Sequence, residues 1–154
     1  MSFVGDLIQK HEGRRLYVYC DTKGLRTIGI GFNLDAPGAP ALCARMGIDY
    51  AAVCGGVALT PTQMDAVFQY QLTEVLCQAA MIFPTWATLP QNVQAVIADM
   101  LFNMGEAKFL GFVRAIAAIK AGQWQYAADE IEDSEWAKEV PTRAKDDAVL
   151  LRSA

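Results

Sequence analysis

Residues 11–35 read HEGRRLYVYCDTKGLRTIGIGFNLD, and this stretch decides the fold. A helical run from Phe3 to about His11 leads into it, with Ser2 as N-cap and Phe3, Val4, Leu7 and Ile8 on one face. Gly13 ends that helix, since glycine accepts the left-handed backbone of a helix C-terminus. Leu16-Tyr17-Val18-Tyr19 has strand composition and Thr22-Lys23-Gly24 forms a turn. Arg26 to Phe32 then reads as one returning strand. Its two glycines, Gly29 and Gly31, mark a bulge or a close approach of backbone to another group.

Outward from the hairpin, residues 35–58 are irregular. Pro37-Gly38-Ala39-Pro40 is a breaker cluster, followed by short helical pieces from Ala41 to Met46 and from Asp49 to Val53. Thr60-Pro61-Thr62-Gln63 is a capping box with proline at the first helical position. It starts a long helix reaching about Met81. After Pro90, an apolar run with Val93, Val96, Ile97, Met100, Leu101 and Met104 reads as a buried central helix ended by Gly105. Helices at Phe109–Lys120, Trp124 to about Trp136, and Thr142–Leu151 surround it. The pattern predicts a single α+β domain over 1–154. Its small β-hairpin lobe covers about 13–59, and its larger helical lobe covers 1–12 plus 81–154. A connecting helix at about 60–80 joins them, with a cleft between the lobes.

Composition narrows the function classes. The chain has 154 residues, 53% of them hydrophobic, enough for one real core. No run of 18 apolar residues appears, so no membrane insertion is expected. Asp6 interrupts the N-terminal apolar stretch and no basic start precedes it, so it does not read as a signal peptide. A net charge of −4 argues against nucleic acid as the partner, which would need clustered Lys and Arg. Arg14, Arg15, Lys23 and Arg26 form a local basic rim or an ordinary solvated hairpin edge. One histidine, His11, and scattered Cys20, Cys43, Cys54 and Cys77 do not make a zinc pattern, and no metal is expected. The cysteines read as small, buried thiols, though a Cys43–Cys54 bridge stays open.

Within the hairpin region, Glu12, Asp21 and Thr27 are spaced E-x8-D-x5-T. Glu12 falls in the last turn of the first helix, where a negative charge costs about 0.3–1 kcal/mol against the helix dipole. Stability alone would place Lys or Arg there. Asp21 opens a turn, a position aspartate also takes for its own backbone hydrogen bonds. Thr27 lies on the returning strand, where β-propensity alone accounts for a threonine. Together they supply an acid, a carboxylate and a hydroxyl, which hydrolysis of a glycosidic bond requires.

The same stretch resembles the active-site region of phage-type lysozymes of the T-even kind, glycoside hydrolase family 24. The likeness continues in Met100-Leu101-Phe102-Asn103-Met104-Gly105-Glu106, which resembles the family's buried helix. It continues again in Ser134-Glu135-Trp136 and Pro141-Thr142-Arg143-Ala144, which resemble its closing helices. Residues 3–34 and about 90–150 are covered well, and 35–60 poorly. The resemblance implies a two-lobed lysozyme-like fold and a muramidase that cuts peptidoglycan between N-acetylmuramic acid and N-acetylglucosamine with inversion. Glu12 would be the acid, with Asp21 and Thr27 positioning the water. It also implies that Leu34, Phe102 and Asn103 contact substrate, although Leu34 reads equally well as core. Arg143 would reach back to the catalytic glutamate, and Lys23 would pair with Glu135 across the cleft mouth. Glu130 and Glu135 make the C-terminal wall acidic. Many members carry histidine where Phe32 stands and an acid near Gln71, so one ion pair is replaced here by a less polar contact.

The competing readings are a lytic transglycosylase, a non-catalytic glycan-binding virion module, and a generic two-lobed helical binding protein. A transglycosylase needs no base-held water and a binder needs no acid, so Glu12, Asp21 and Thr27 together favour hydrolysis. The expected partner is the peptidoglycan glycan strand, the expected state a monomer, and no cofactor is implied. The acidic charge and the lack of a separate wall-binding domain lean toward a domain of a larger phage protein. Location follows: host cytoplasm until release through a membrane lesion, or the virion tail or an injected protein.

Overall fold

The structure is a computed structural model that describes residues 2–154. In chain order its elements are α1 (Phe3–Glu12), β1 (Arg15–Cys20), β2 (Arg26–Gly29), β3 (Phe32–Asn33), α2 (Ala39–Arg45), α3 (Tyr50–Cys54), α4 (Pro61–Ile82), α5 (Gln91–Phe109), α6 (Val113–Lys120), α7 (Trp124–Glu132), α8 (Glu135–Glu139) and α9 (Pro141–Arg152). Helices with one small antiparallel sheet make the fold α+β and lysozyme-like, as the sequence predicts. The chain divides into two compact units. One holds the residues up to Ile8 with Glu74–Ala154, and the other holds Gln9–Thr73.

In the Gln9–Thr73 unit the three strands run in order β1-β2-β3. Arg15 pairs with Gly29 and Tyr19 with Thr27, with a register shift between them. Thr27 pairs in turn with Asn33. The single returning strand expected at Arg26–Phe32 is two strands. Gly29 (φ 69°) and Gly31 (φ 66°) both take left-handed backbone, so the chain turns there and β3 folds back on β2. Ile28, Ile30, Phe32 and Leu34 are buried with Leu59, Met64, Val67 and Phe68. The capping box forms as read: Gln63 N–H donates to Thr60 Oγ1 (3.1 Å) and Thr60 N–H to Gln63 Oε1 (3.0 Å). The two departures from family pattern both lie here. Phe32 is core, and Gln71 Oε1 is buried with no hydrogen-bond partner.

In the other unit, α5 is the central helix, with Val93 and Ala95–Leu101 buried. It does not end at Gly105. That residue (φ 77°, ψ 162°) is a kink, after which the helix resumes to Phe109. The helix expected from Phe109 begins only at Val113, beyond a turn through Gly111. The helix expected over Trp124–Trp136 is likewise two. Ser134 separates them, its Oγ accepting from Ala137 N–H (3.1 Å) as the cap of α8. Local capping thus overrides the apolar periodicity that runs through both breaks. α7 packs on α6 and α9, and Arg152 near the end of α9 reaches Asp129 and Glu132 on α7, each at 2.6 Å. Phe83 meets Phe109 edge-on at 6.3 Å.

Candidate active site

The Gln9–Thr73 unit gathers Glu12, Asp21 and Thr27. Glu12 is the last residue of α1, and Gly13 (φ 73°) turns the chain away behind it. The turn between β2 and β3 brings Gly31 against the Glu12 side chain. A Cβ at Gly31 would stand 2.7 Å from Glu12 Oε2 and 3.0 Å from its Cγ, so only glycine leaves the carboxyl its place. This is the close approach that the glycine pair in the sequence signals.

Asp21 builds the hairpin turn with one oxygen. Its Oδ1 accepts from Lys23 N–H (2.8 Å) and Leu25 N–H (2.9 Å), while its own N–H donates to Leu25 C=O (2.9 Å). The structural and chemical readings of Asp21 are therefore compatible, because Oδ2 is not used by the turn. Thr27, only 5% exposed, donates its hydroxyl proton to Leu25 C=O at 3.1 Å. With its proton committed, Oγ1 presents acceptor lone pairs only. Asp21 Oδ2 and Thr27 Oγ1 are both acceptors on one hairpin, suited to take the two hydrogens of a single water.

Sequence reading missed Tyr19. It lies opposite Thr27, so the two side chains share a face of the sheet. The Arg15 guanidinium stacks on its ring at 4.2 Å. Burial raises the Tyr19 phenol above its ordinary value, the negative charges of Glu12 and Asp21 raise it further, and Arg15 opposes them. Tyr19 is thus a neutral phenol paired with Thr27 and within the electrostatic reach of Glu12 and Asp21. Its signal in the sequence, an aromatic on a half-buried strand, is no different from ordinary β-propensity.

The expected basic rim is partly neutralised. Arg14 pairs with Asp65 at 2.8 Å and Arg26 with Asp35 at 2.6 Å. The hydrogen bonds from Arg26 hold the Asp35 carboxyl below its usual range. Leu34 is fully buried, so its side chain is core here, and its carbonyl accepts from Tyr50 Oη at 2.9 Å.

In the other unit, Asn103 Oδ1 accepts from Trp136 Nε1 at 2.8 Å. That bond fixes the orientation of the amide. Phe102 beside it is half-buried. Glu135 is exposed and pairs with Lys138. Arg143 is buried, 7% exposed, with Nε 3.4 Å from Asp99 Oδ2. Asp147, one turn along α9, is fully buried. Burial, then the charge of Asp99, pushes the Asp147 carboxyl well above the usual range, and Arg143 opposes the shift. Asp99 and Asp147 went unread in the sequence. The available signal was Asp99 itself, the one charged residue in the apolar run Val93–Leu101, since a charge in a buried helix needs a partner.

Comparison with known proteins agrees with this architecture. A probable T4-type lysozyme 1 of Dictyostelium discoideum is 27% identical, over 94% of this chain and 90% of its own length. The pre-baseplate central spike protein Gp5 of Enterobacteria phage T4 is 26% identical over 92% of this chain, which spans only 26% of that protein. The endolysin of Salmonella phage P22 is 25% identical over 79% of this chain and 73% of its own length. The pattern of the phage lysozyme family matches residues 9–148. The chain therefore belongs to the phage lysozyme family and is a lysozyme-type glycoside hydrolase.

Proposed function

We propose that the chain is an inverting muramidase that cleaves the β-1,4 bond between N-acetylmuramic acid and N-acetylglucosamine in peptidoglycan. The observation that carries this reading is the division of labour on the hairpin. Asp21 Oδ1 is spent on the turn and the Thr27 proton on Leu25 C=O, so the remaining acceptors suit a water. Glu12, in its protonated form, gives its proton to the glycosidic oxygen as the bond from C1 breaks. The water oxygen forms the new bond to C1 from the opposite face, and its proton passes to Asp21. The products are a reducing muramic acid and a free 4-hydroxyl, and solvent returns the proton from Asp21 to Glu12. Such pairs stand roughly 6.5–9.5 Å apart to admit the water. Asn103, its amide oriented by Trp136, suits a hydrogen bond to a bound sugar.

The biological setting consistent with this chemistry is degradation of the bacterial cell wall by a phage. The matched relatives include both an endolysin and a central spike protein, so a free enzyme and a virion domain are each represented. The test is mass spectrometry of fragments released from purified peptidoglycan, with Glu12→Gln as control. Ordinary reducing muramic ends, lowered at least about 10³-fold in the variant, support the reading. Anhydro-muramic ends would replace it with lytic transglycosylation, and no release by the native chain would leave a glycan-binding module.

A further inference from the structure

The side chains assigned to the water on the hairpin are acceptors. Asp21 keeps Oδ2 beyond its turn, and Thr27 has given its proton to Leu25 C=O. Tyr19 adds the complementary group to the same face. It pairs directly with Thr27 across β1 and β2, where opposite Cβ atoms stand roughly 4.5–5.5 Å apart. Its ring is half-buried and covered by the Arg15 guanidinium, 4.2 Å from the ring centroid. Among the described residues its hydroxyl makes no hydrogen bond, although a tyrosine with a buried ring usually finds a partner for that group.

The phenol is also neutral. Burial first, then the charges of Glu12 and Asp21, keep its proton in place. The other side-chain donors of the hairpin are cations with other positions to fill. Arg14 is paired with Asp65 and Arg26 with Asp35, Arg15 covers the Tyr19 ring, and Lys23 is exposed in the turn. An oriented, uncharged O–H beside two acceptors suits a neutral carbonyl oxygen, and the charges of Glu12 and Asp21 disfavour an anion there. In a strand of N-acetyl sugars, the carbonyl nearest the carbon under attack belongs to the 2-acetamido group. Its oxygen can fold beneath C1 and compete with the water for that carbon. A donor that holds this oxygen leaves the position to the water.

We propose that Tyr19 recognises the 2-acetamido group of the sugar whose C1 is attacked, donating its phenolic proton to the acetamide carbonyl. The proposal deepens, and rests on, the reading of the chain as an inverting muramidase. Tyr19 thereby makes the hairpin selective for N-acetylated strands, beside the water held by Asp21 and Thr27.

The test compares the native chain with Tyr19→Phe, which keeps the ring and its stacking on Arg15. The probes are two synthetic glycan strands whose reacting muramic acid carries either the acetamido group or hydrogen at C2. Tyr19→Phe should lower kcat/KM about tenfold on the acetamido strand and less than about twofold on the 2-deoxy strand. Both strands are measured on one preparation, so any loss of folded chain cancels in the ratio. Binding of the two strands to Glu12→Gln, with and without Tyr19→Phe, gives the same comparison without turnover, and the same selective loss is expected. An equal loss on both strands would reduce Tyr19 to a structural role, and no loss on either would remove it from the substrate; each overturns the proposal. Failure of the native chain to cleave either strand would instead overturn the hydrolase reading, an outcome independent of Tyr19→Phe.

Discussion

At the scale of single residues, the proposed mechanism gives Asp21 and Thr27 a chemical duty beside the structural one that each performs in the hairpin. Thr27 tests this most simply. Thr27→Ser keeps the hydroxyl on Leu25 C=O and should retain most activity. Thr27→Val removes the acceptor and should lower kcat by about 10²-fold or more with KM little changed. Equal kcat for the two variants would mean that the hydroxyl holds no water. Gly31→Ala is a second prediction, because its Cβ collides with the Glu12 carboxyl on a left-handed backbone. Unfolding in urea should show a loss of about 1–2 kcal/mol from the backbone alone, and kcat should fall further than stability explains. Glu12, Asp21 and Thr27 could be proposed from the sequence because their spacing is local and survives any packing. Tyr19, Asp99 and Asp147 could not, since their meaning comes from neighbours brought near by the fold.

At the scale of elements, the helix starts were easier to read than the breaks. Thr60-Pro61-Thr62-Gln63 announces α4 through bonds that close within four residues, and they form as read. Gly105, Gly111 and Ser134 each interrupt or divide a run whose apolar spacing continues across them. Periodicity reports which face is buried, whereas a cap or a positive φ decides where the helix stops. The α4 helix also carries a cost that can be measured. Gln71 Oε1 is buried without a partner, so Gln71→Leu should raise stability by about 1 kcal/mol in urea unfolding. An unchanged or lowered midpoint would mean that the amide contributes more than its missing bond suggests.

At the scale of the whole molecule, the Arg143, Asp99 and Asp147 group makes stability depend on pH. The Asp147 carboxyl is raised in the folded chain, so the folded state holds its proton to higher pH than the unfolded state. Its contribution is therefore largest below the unfolded value of about 3.9 and is lost as pH rises toward the raised folded value. Asp147→Asn should be more stable relative to the native chain at pH 7 than at pH 4, measured by thermal unfolding at both. A difference independent of pH would contradict the shift. The net charge of −4 gives no general attraction to an anionic wall, so recognition has to come from local sites. The central claim is that a water held by Asp21 and Thr27 attacks the face opposite the leaving oxygen. The most direct test is proton NMR of the newly formed reducing end during hydrolysis of soluble peptidoglycan strands, before mutarotation. The α-anomer appearing first is the predicted result. The β-anomer first, or a 1,6-anhydro end, would contradict the claim and remove Asp21 and Thr27 from the role of water holders.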